Sequence, residues 1–96
     1  MRVVTLASGS SGNAIYIGSD HTHILVDAGI SNKKIEERLN EIGVDMRDLS
    51  GICVTHEHLD HIRGLSVLAK KHQIPIYSTE GTIQVIKAMG KMRLSV

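Results

Sequence analysis

The sequence predicts one small α/β (α+β) domain in which a mixed β-sheet carries helices packed on one face. The chain has 96 residues, a length typical of a single domain. Its apolar residues are mainly aliphatic, with 12 Ile, 8 Val and 8 Leu, and β-branched side chains favour strands. Short apolar runs alternate with segments of helical period, as in layered folds of sheet and helix.

The composition excludes several classes of protein. An apolar fraction of 42% excludes a disordered chain. No apolar run approaches the roughly 18 residues of a membrane span, and the start lacks a signal-peptide pattern, so we expect a cytoplasmic protein. The single cysteine, Cys53, has no disulfide partner and no second cysteine for a zinc site. A bound metal ion would therefore need histidine and carboxylate ligands.

Three strands and a helix are predicted in the first part of the chain. Residues 2–6 and 13–17 form a strand pair around the small residues 7–12, and 23–27 is a buried strand that ends with Asp27. Ser31 is the expected N-cap of a helix with Ile35, Leu39 and Ile42 on its apolar face, and Gly43 ends it.

The second part is predicted to continue with two strands and two helices. Residues 49–54 form a strand, a helix runs from about 62 to 71 or 72, and 74–78 form a strand that begins at Pro75 or lies near an edge. Thr79 caps a last helix, whose apolar face carries Ile83, Ile86 and Met89. Nothing in 91–96 predicts a further element with confidence.

Four potential metal ligands lie within residues 56–61, directly after a predicted buried strand. In extended backbone, residues i and i+2 point the same way, so His56 and His58 can bind one ion. Asp60 and His61 follow as the chain turns into a helix, and they can bind a second ion. Imidazole and carboxylate ligands suit divalent ions, and we favour two zinc ions over manganese or iron.

The stretch Thr-His-Glu-His-Leu-Asp-His at 55–61, preceded by Asp27 at an earlier strand end, resembles the signature of the metallo-β-lactamase-fold hydrolases. The sequence Asp-His-Ile-Arg-Gly-Leu at 60–65 is more similar to the nuclease branches than to the thioester hydrolases. Residues 6–13 and 26–31 further resemble the bacterial WalJ/YycJ-like group, which is linked to DNA exonuclease activity.

The resemblance implies a role for each residue of the motif. His56 and His58 would hold the first metal, and Asp60 and His61 the second, with a bridging hydroxide as the nucleophile. Asp60 would also be catalytic, because it can orient that hydroxide or accept its proton.

Three neighbouring residues would support this site. Asp27 would form hydrogen bonds around the motif loop, and either Asp27 or Thr55 could fix the second nitrogen of a ligand imidazole. Arg63 either contacts a substrate phosphate or begins a solvated helix.

The resemblance also implies a fold of two similar halves, an αββα sandwich, of which this chain is the N-terminal half. We therefore expect residues 1–96 to be one partial domain, a truncation or fragment, because the family takes further His and Asp ligands from later segments. An exposed sheet surface would favour a homo-oligomer.

Charge is distributed unevenly along the chain. Residues 1–61 have a net charge of −4, whereas residues 62–96 have +5. The basic part is consistent with a polyanionic partner, although solvated helix faces would explain the same lysines. The resemblance implies that this partner is nucleic acid, with DNA favoured.

The function indicated is that of a metal-dependent hydrolase, a phosphodiesterase or DNA exonuclease. One alternative is a metallohydrolase of small esters, thioesters or lactams. The other is a non-catalytic half-domain, because the motif offers two ligands per ion and a catalytic zinc usually has three.

Three other features of the sequence are expected to be structural rather than functional. Residues 8–13 are expected to be a flexible connection rather than a phosphate-binding loop. His21 and His23 have ligand-like spacing but are expected to be surface residues near a turn. Cys53 is expected to be a small core residue.

Overall fold

The computed structural model describes residues 1–9, 12–55, 70–71, 73–87 and 94–95. The described helices are α1 (Asn32–Glu41), α2 (Glu80–Lys87) and a short 3₁₀ helix (Met46–Asp48). The described strands are β1 (Arg2–Ala7), β2 (Ala14–Gly18), β3 (His23–Val26), β4 (Gly51–Cys53), β5 (Ile76–Tyr77) and β6 (Leu94–Ser95).

These strands form a six-stranded mixed sheet in the spatial order β1 to β6. The β1–β2 and β2–β3 pairs are antiparallel, and the pairs from β3 to β6 are parallel. Within the described residues, each connection between parallel strands contains helical residues: α1 and the 3₁₀ helix, then 70–71, then α2. Parallel pairing requires a crossover connection of this kind. The predicted mixed sheet is therefore confirmed.

One face of the sheet is packed against helices. Register places Tyr16, Leu25, Ile52 and Ile76 in one row across four strands, and all four are buried. The same apolar core contains Ile35 and Leu39 of α1 and Ile86 of α2. Both described α-helices thus pack on one face, as predicted.

The opposite face carries a second set of apolar side chains, and no described helix contributes to it. Two rows in register lie on this open face, and their side chains are half-buried or exposed apart from the buried glycine. The rows are Thr5, Ile15, Val26, Cys53 and Tyr77, and Val3, Ile17, Ile24 and Gly51.

Helix α1 begins and ends where the sequence predicts. The Lys34 N–H donates to the Ser31 Oγ (3.3 Å), so Ser31 is the N-cap. At the other end Gly43 has a φ of 77°, a left-handed conformation that glycine adopts without a Cβ penalty. The Val44 N–H then donates to the Leu39 carbonyl (2.9 Å), which closes a Schellman motif.

Helix α2 begins after a threonine cap, as predicted. The Thr82 N–H donates to the Thr79 Oγ1 (3.4 Å). Ile83 and Ile86 are buried, whereas Met89 lies outside the described residues. None of the described helices has the length and apolar character needed to cross a membrane.

The predicted strand at 49–54 is shorter in the structure. Asp45 caps the 3₁₀ helix by accepting a hydrogen bond from the Arg47 N–H (2.8 Å), and β4 begins only at Gly51. Met46 and Leu49 are both buried and lie three residues apart, which is the period of a 3₁₀ helix, but a single turn is too short to give a recognisable sequence pattern. Strand β3 ends at Val26 rather than at Asp27.

The C-terminal strand β6 was not predicted. It pairs in parallel with β5, which is therefore an interior strand with Pro75 just before its start. Two-residue strands are stabilised by their neighbours rather than by local sequence preference. Of the helix predicted from 62, Lys70 and Lys71 are helical, and the earlier residues lie outside the described ranges.

We predict that Leu39→Ala destabilises the fold by about 2 to 5 kcal/mol, because the side chain is fully buried and its loss leaves a cavity. Urea denaturation followed by circular dichroism measures the change. Val85→Ala is the control, since Val85 is 47% exposed on α2 and its truncation removes little buried surface. Equal losses in the two variants would contradict the assigned core.

Candidate metal centre

The four predicted metal ligands, His56, His58, Asp60 and His61, lie outside the described residues, and so does Arg63. Within the described ranges, no group of three or more His, Cys, Asp or Glu side chains is placed to hold a metal ion. The structure does describe the backbone up to Thr55, which immediately precedes the motif. The structure therefore defines the two residues that lead into the candidate site, Val54 and Thr55, which we call the entry segment.

The entry segment lies at the carboxyl edge of the parallel strands β3, β4 and β5. In sheets of this kind, ligands bind outside the carboxyl ends of the strands. Asp27 follows β3, Val54 and Thr55 follow β4, and Ser78 follows β5. Their side chains and backbone groups form one hydrogen-bonded cluster at this edge.

Asp27, which directly follows β3, has an unusual backbone conformation. Its φ is 64°, in the left-handed region that Asp and Asn tolerate better than most residues. Its N–H donates to the Cys53 carbonyl (2.8 Å), which extends the ladder between β3 and β4 by one step. The residue is buried, with 6% exposure. The turn thereby directs the carboxylate toward the chain that leaves β4.

The Asp27 carboxylate binds both donors of Thr55. Its Oδ1 accepts from the Thr55 N–H (2.8 Å), and its Oδ2 accepts from the Thr55 Oγ1 (2.8 Å). Hydrogen bonds to an ionised group are shorter and stronger than neutral ones. The two bonds fix the backbone and the side chain of Thr55 together. The two residues expected to support the site are therefore in direct contact, an interaction that the sequence did not predict.

The strand β5 holds the same segment from its other side. The Val54 N–H donates to the Tyr77 carbonyl (2.9 Å), and the Ser78 hydroxyl donates to the Val54 carbonyl (2.6 Å). Sequence reasoning missed Ser78. A small polar residue directly after a strand, at the edge where the motif begins, is the one signal that pointed to it.

The small-residue connection between β1 and β2 lies against the turn after β3. A Cβ on Gly12, whose φ is 132°, would lie 2.4 Å from the Gly29 carbonyl oxygen, so only glycine fits. The Gly29 N–H donates to the Asn13 carbonyl (2.8 Å). The N–H groups of Gly9 and Gly12 donate to Asn13 Oδ1 and to the Gly9 carbonyl. These two N–H groups are therefore not directed at a phosphate.

Cys53 is not the core residue that the sequence predicted. Its side chain lies on the open face and is half-buried, because odd positions of β4 point away from the helices. Burial raises the pKa of its thiol, and the negative charge of Asp27 raises that pKa further. The thiolate fraction at a given pH is therefore smaller than for a free thiol, which lowers the reactivity of Cys53.

The histidines of the β2–β3 turn lie at the other end of the sheet. His21 is exposed. The His23 ring stacks on Tyr16 with a centroid distance of 5.9 Å, and its Nδ1 is hydrogen-bonded to the Tyr16 hydroxyl. His72 lies outside the described residues. His23 is therefore in contact with Tyr16, whereas His21 is exposed to solvent.

Comparison with known proteins identifies the family. Residues 7–88 match the Metallo-beta-lactamase superfamily, and the chain belongs to this superfamily. A fold relative among solved structures, a B3 metallo-beta-lactamase with an active-site glutamic acid, superposes with a TM-score of 0.80. The match covers 98% of this chain and 42% of that one at 19% identity, a level that supports the fold alone.

Two curated relatives are more similar in sequence. The chain is 52% identical to exodeoxyribonuclease YycJ of Bacillus anthracis over 77 residues, covering 80% of this chain and 29% of the relative. It is 48% identical to exodeoxyribonuclease WalJ of Streptococcus pneumoniae serotype 2 over 90 residues, covering 91% and 34%. The chain thus spans about a third of the length of these relatives.

We predict that Asp27→Asn and Thr55→Val each destabilise the protein by roughly 1 to 3 kcal/mol. Asparagine tolerates the left-handed backbone but replaces a carboxylate oxygen with an amide donor, whereas valine removes only the Thr55 hydroxyl. Urea denaturation of both variants and of the double variant gives the coupling free energy. Strictly additive losses would contradict the direct contact.

We predict that Cys53 ionises at a higher pH than a small free thiol, because burial and the Asp27 charge both raise its pKa. Near pH 8 the thiolate fraction is therefore reduced, and iodoacetamide reacts slowly. Asp27→Asn should move the midpoint of the rate profile down only partly, since burial is the larger cause. Thr55→Val keeps the carboxylate and is the control. An unchanged midpoint in Asp27→Asn would refute the electrostatic contribution.

Proposed function

We propose that this chain carries the metal-binding part of a nuclease, a phosphodiesterase that removes nucleotides from DNA as an exonuclease. The observation that supports the proposal is the pair of hydrogen bonds from Thr55 to the Asp27 carboxylate, because they fix the residue that precedes the proposed ligands. The similarity to two proteins named exodeoxyribonuclease supports DNA as the substrate. A cytoplasmic location stays part of the same proposal.

The residues present fit divalent metal ions by their donor chemistry. Under this proposal His56 and His58 hold one ion, and Asp60 and His61 hold a second, with zinc favoured. Imidazole nitrogens and a carboxylate suit zinc, manganese and iron. The chain leaves the rigid edge of the sheet at Thr55, so the first ligand directly follows a residue with both of its donors bound.

When bound, two such cations would lower the pKa of water and stabilise negative charge on a phosphodiester. Asp60 would orient the attacking water and accept its proton as a general base. Asp27 would keep Thr55 in place and so limit the positions of His56. Arg63 would bind a substrate phosphate through its guanidinium.

The charge of the later part of the chain supports a polyanionic substrate. Lys70, Lys71 and Lys87 are exposed in the structure, so their ammonium groups are available to solvent. Lysines that contact phosphates displace counterions, and this release makes binding favourable and sensitive to salt. The basic part would therefore attract DNA toward the catalytic edge, in addition to any specific contact.

A second candidate is a metal-binding part that is inactive by itself. The length relation favours it, since the chain spans about a third of the two exodeoxyribonucleases it matches. It is also favoured by the ligands, because two per ion is one fewer than a catalytic zinc usually has. Both candidates share the proposed ligands and differ in turnover.

We predict that the chain degrades end-labelled single-stranded DNA when zinc or manganese is supplied, and that a chelator stops the reaction. Asp60→Ala should reduce the rate about 100-fold or more, because it removes a metal ligand and the proposed base. Asp20→Ala is the matched control, since Asp20 is exposed in the β2–β3 turn at the other end of the sheet. Gel separation of the products measures the rate.

Metal content separates the remaining outcomes. Metal bound to the chain but absent from His58→Ala, together with no cleavage of DNA, would favour the inactive part. His21→Ala, which alters an exposed histidine, should keep the metal. Cleavage that survives both the chelator and Asp60→Ala would refute the mechanism, and turnover of a small ester or lactam without DNA cleavage would change the substrate class.

A further inference from the structure

The peptide group between Val54 and Thr55 is hydrogen-bonded through both of its polar atoms. Its N–H, which belongs to Thr55, donates to the Asp27 Oδ1 (2.8 Å), and its carbonyl, which belongs to Val54, accepts from the Ser78 hydroxyl (2.6 Å). A trans peptide group is planar, so its N–H and C=O point in opposite directions. Residues after β3 and after β5 therefore hold this group from its two sides, and rotation of its plane would break both bonds.

We propose that Ser78 is a positioning residue for the metal ligands that follow Thr55, an inference that rests on the nuclease function proposed above. The plane of the 54–55 peptide group sets the ψ of Val54 and the φ of Thr55. The second bond to Asp27, from the Thr55 hydroxyl, fixes the side chain as well. Ser78 thereby restricts the direction in which the chain continues toward His56.

Ser78 supplies the donor at the step where the backbone ladder between β4 and β5 ends. The Ile52 N–H donates to the Pro75 carbonyl (2.9 Å), and the Val54 N–H donates to the Tyr77 carbonyl (2.9 Å). Donors and acceptors alternate along a parallel pair, so the Val54 carbonyl is the next acceptor toward the carboxyl edge. Strand β5 ends at Tyr77, and the Ser78 side chain provides the donor there.

Capping of α2 does not account for the Ser78 hydroxyl. Thr79 is the cap, because its Oγ1 accepts from the Thr82 N–H (3.4 Å) and its carbonyl accepts from the Ile83 N–H (2.9 Å). The half-buried Ser78 side chain bonds to the end of β4 instead. Loss of its hydroxyl should therefore affect the entry segment rather than the start of α2.

The two hydrogen bonds of the 54–55 peptide group reinforce each other. A donor on a peptide carbonyl polarises the group and strengthens donation by its N–H. Removal of the Ser78 hydroxyl should therefore weaken the bond from the Thr55 N–H to Asp27, although neither of these residues is changed. A role of Ser78 limited to its own packing would leave that bond as it is.

Hydrogen exchange of the Thr55 amide, followed by NMR spectroscopy, measures this coupling in the metal-free chain. Ser78→Ala should raise the exchange rate about fivefold or more, whereas Ser78→Thr keeps the hydroxyl and should stay within about twofold. Ser50→Ala is the matched control, since the Ser50 Oγ accepts from the His23 N–H (3.2 Å) just before β4, at the other edge of the sheet. Equal Thr55 rates in Ser78→Ala and Ser50→Ala overturn the proposal.

Zinc affinity, measured by competition with a coloured chelator, tests the consequence for the ligands. Ser78→Ala should bind zinc about tenfold more weakly, whereas Ser50→Ala and Ser78→Thr should stay within about threefold of the unaltered chain. Circular dichroism checks that each variant folds. Equal affinities in Ser78→Ala and Ser50→Ala overturn the positioning role alone. An unaltered chain that binds no zinc refutes the proposed ligands, and the positioning role falls with them. Exchange at Thr55 separates the two failures, because it requires no metal.

Discussion

The Asp27 carboxylate joins the ends of two parallel strands, and the candidate site depends on this contact. Both of its oxygens accept from Thr55, while its own N–H extends the ladder to Cys53. A buried carboxylate is tolerated only when hydrogen bonds compensate its lost hydration. The compensating donors belong to Thr55, the residue before His56. The burial of Asp27 is therefore coupled energetically to the position of Thr55.

The same edge receives support from β5. Tyr77 accepts from the Val54 N–H, and Ser78 donates to the Val54 carbonyl, so the segment leaving β4 is held on both sides. Metal ligands act well only when neighbouring groups restrict their orientation. The hydrogen bonds at the end of β4 therefore restrict the backbone from which the proposed ligands follow.

Much of the fold was predictable from local signals. Ser31, Gly43 and Thr79 mark helix ends through capping chemistry that depends on a few adjacent residues. The resemblance of the motif placed Asp27 and Thr55 beside the site, but their hydrogen bonds to each other, across 28 residues, were not predicted. The ligand assignment of His56, His58, Asp60 and His61 stays a prediction, since these residues lie outside the described ranges.

Other features depended on neighbours distant in sequence. The exposure of Cys53 follows from the pairing of β4 with β3 and β5, because that register decides which side chains face the helices. The two residues of β6 become a strand only beside β5.

The sequence by itself determined both ends of α1, the start of α2, the alternation of apolar residues and the residue types that follow β4, because these depend on side chains within a few positions. Only the tertiary structure decided which face of the sheet the helices cover, the contact of Ser78 with Val54, and the close approach of Gly12 to Gly29. Those contacts arise between segments brought together by strand pairing, and a local pattern contains no information on the distance between such segments.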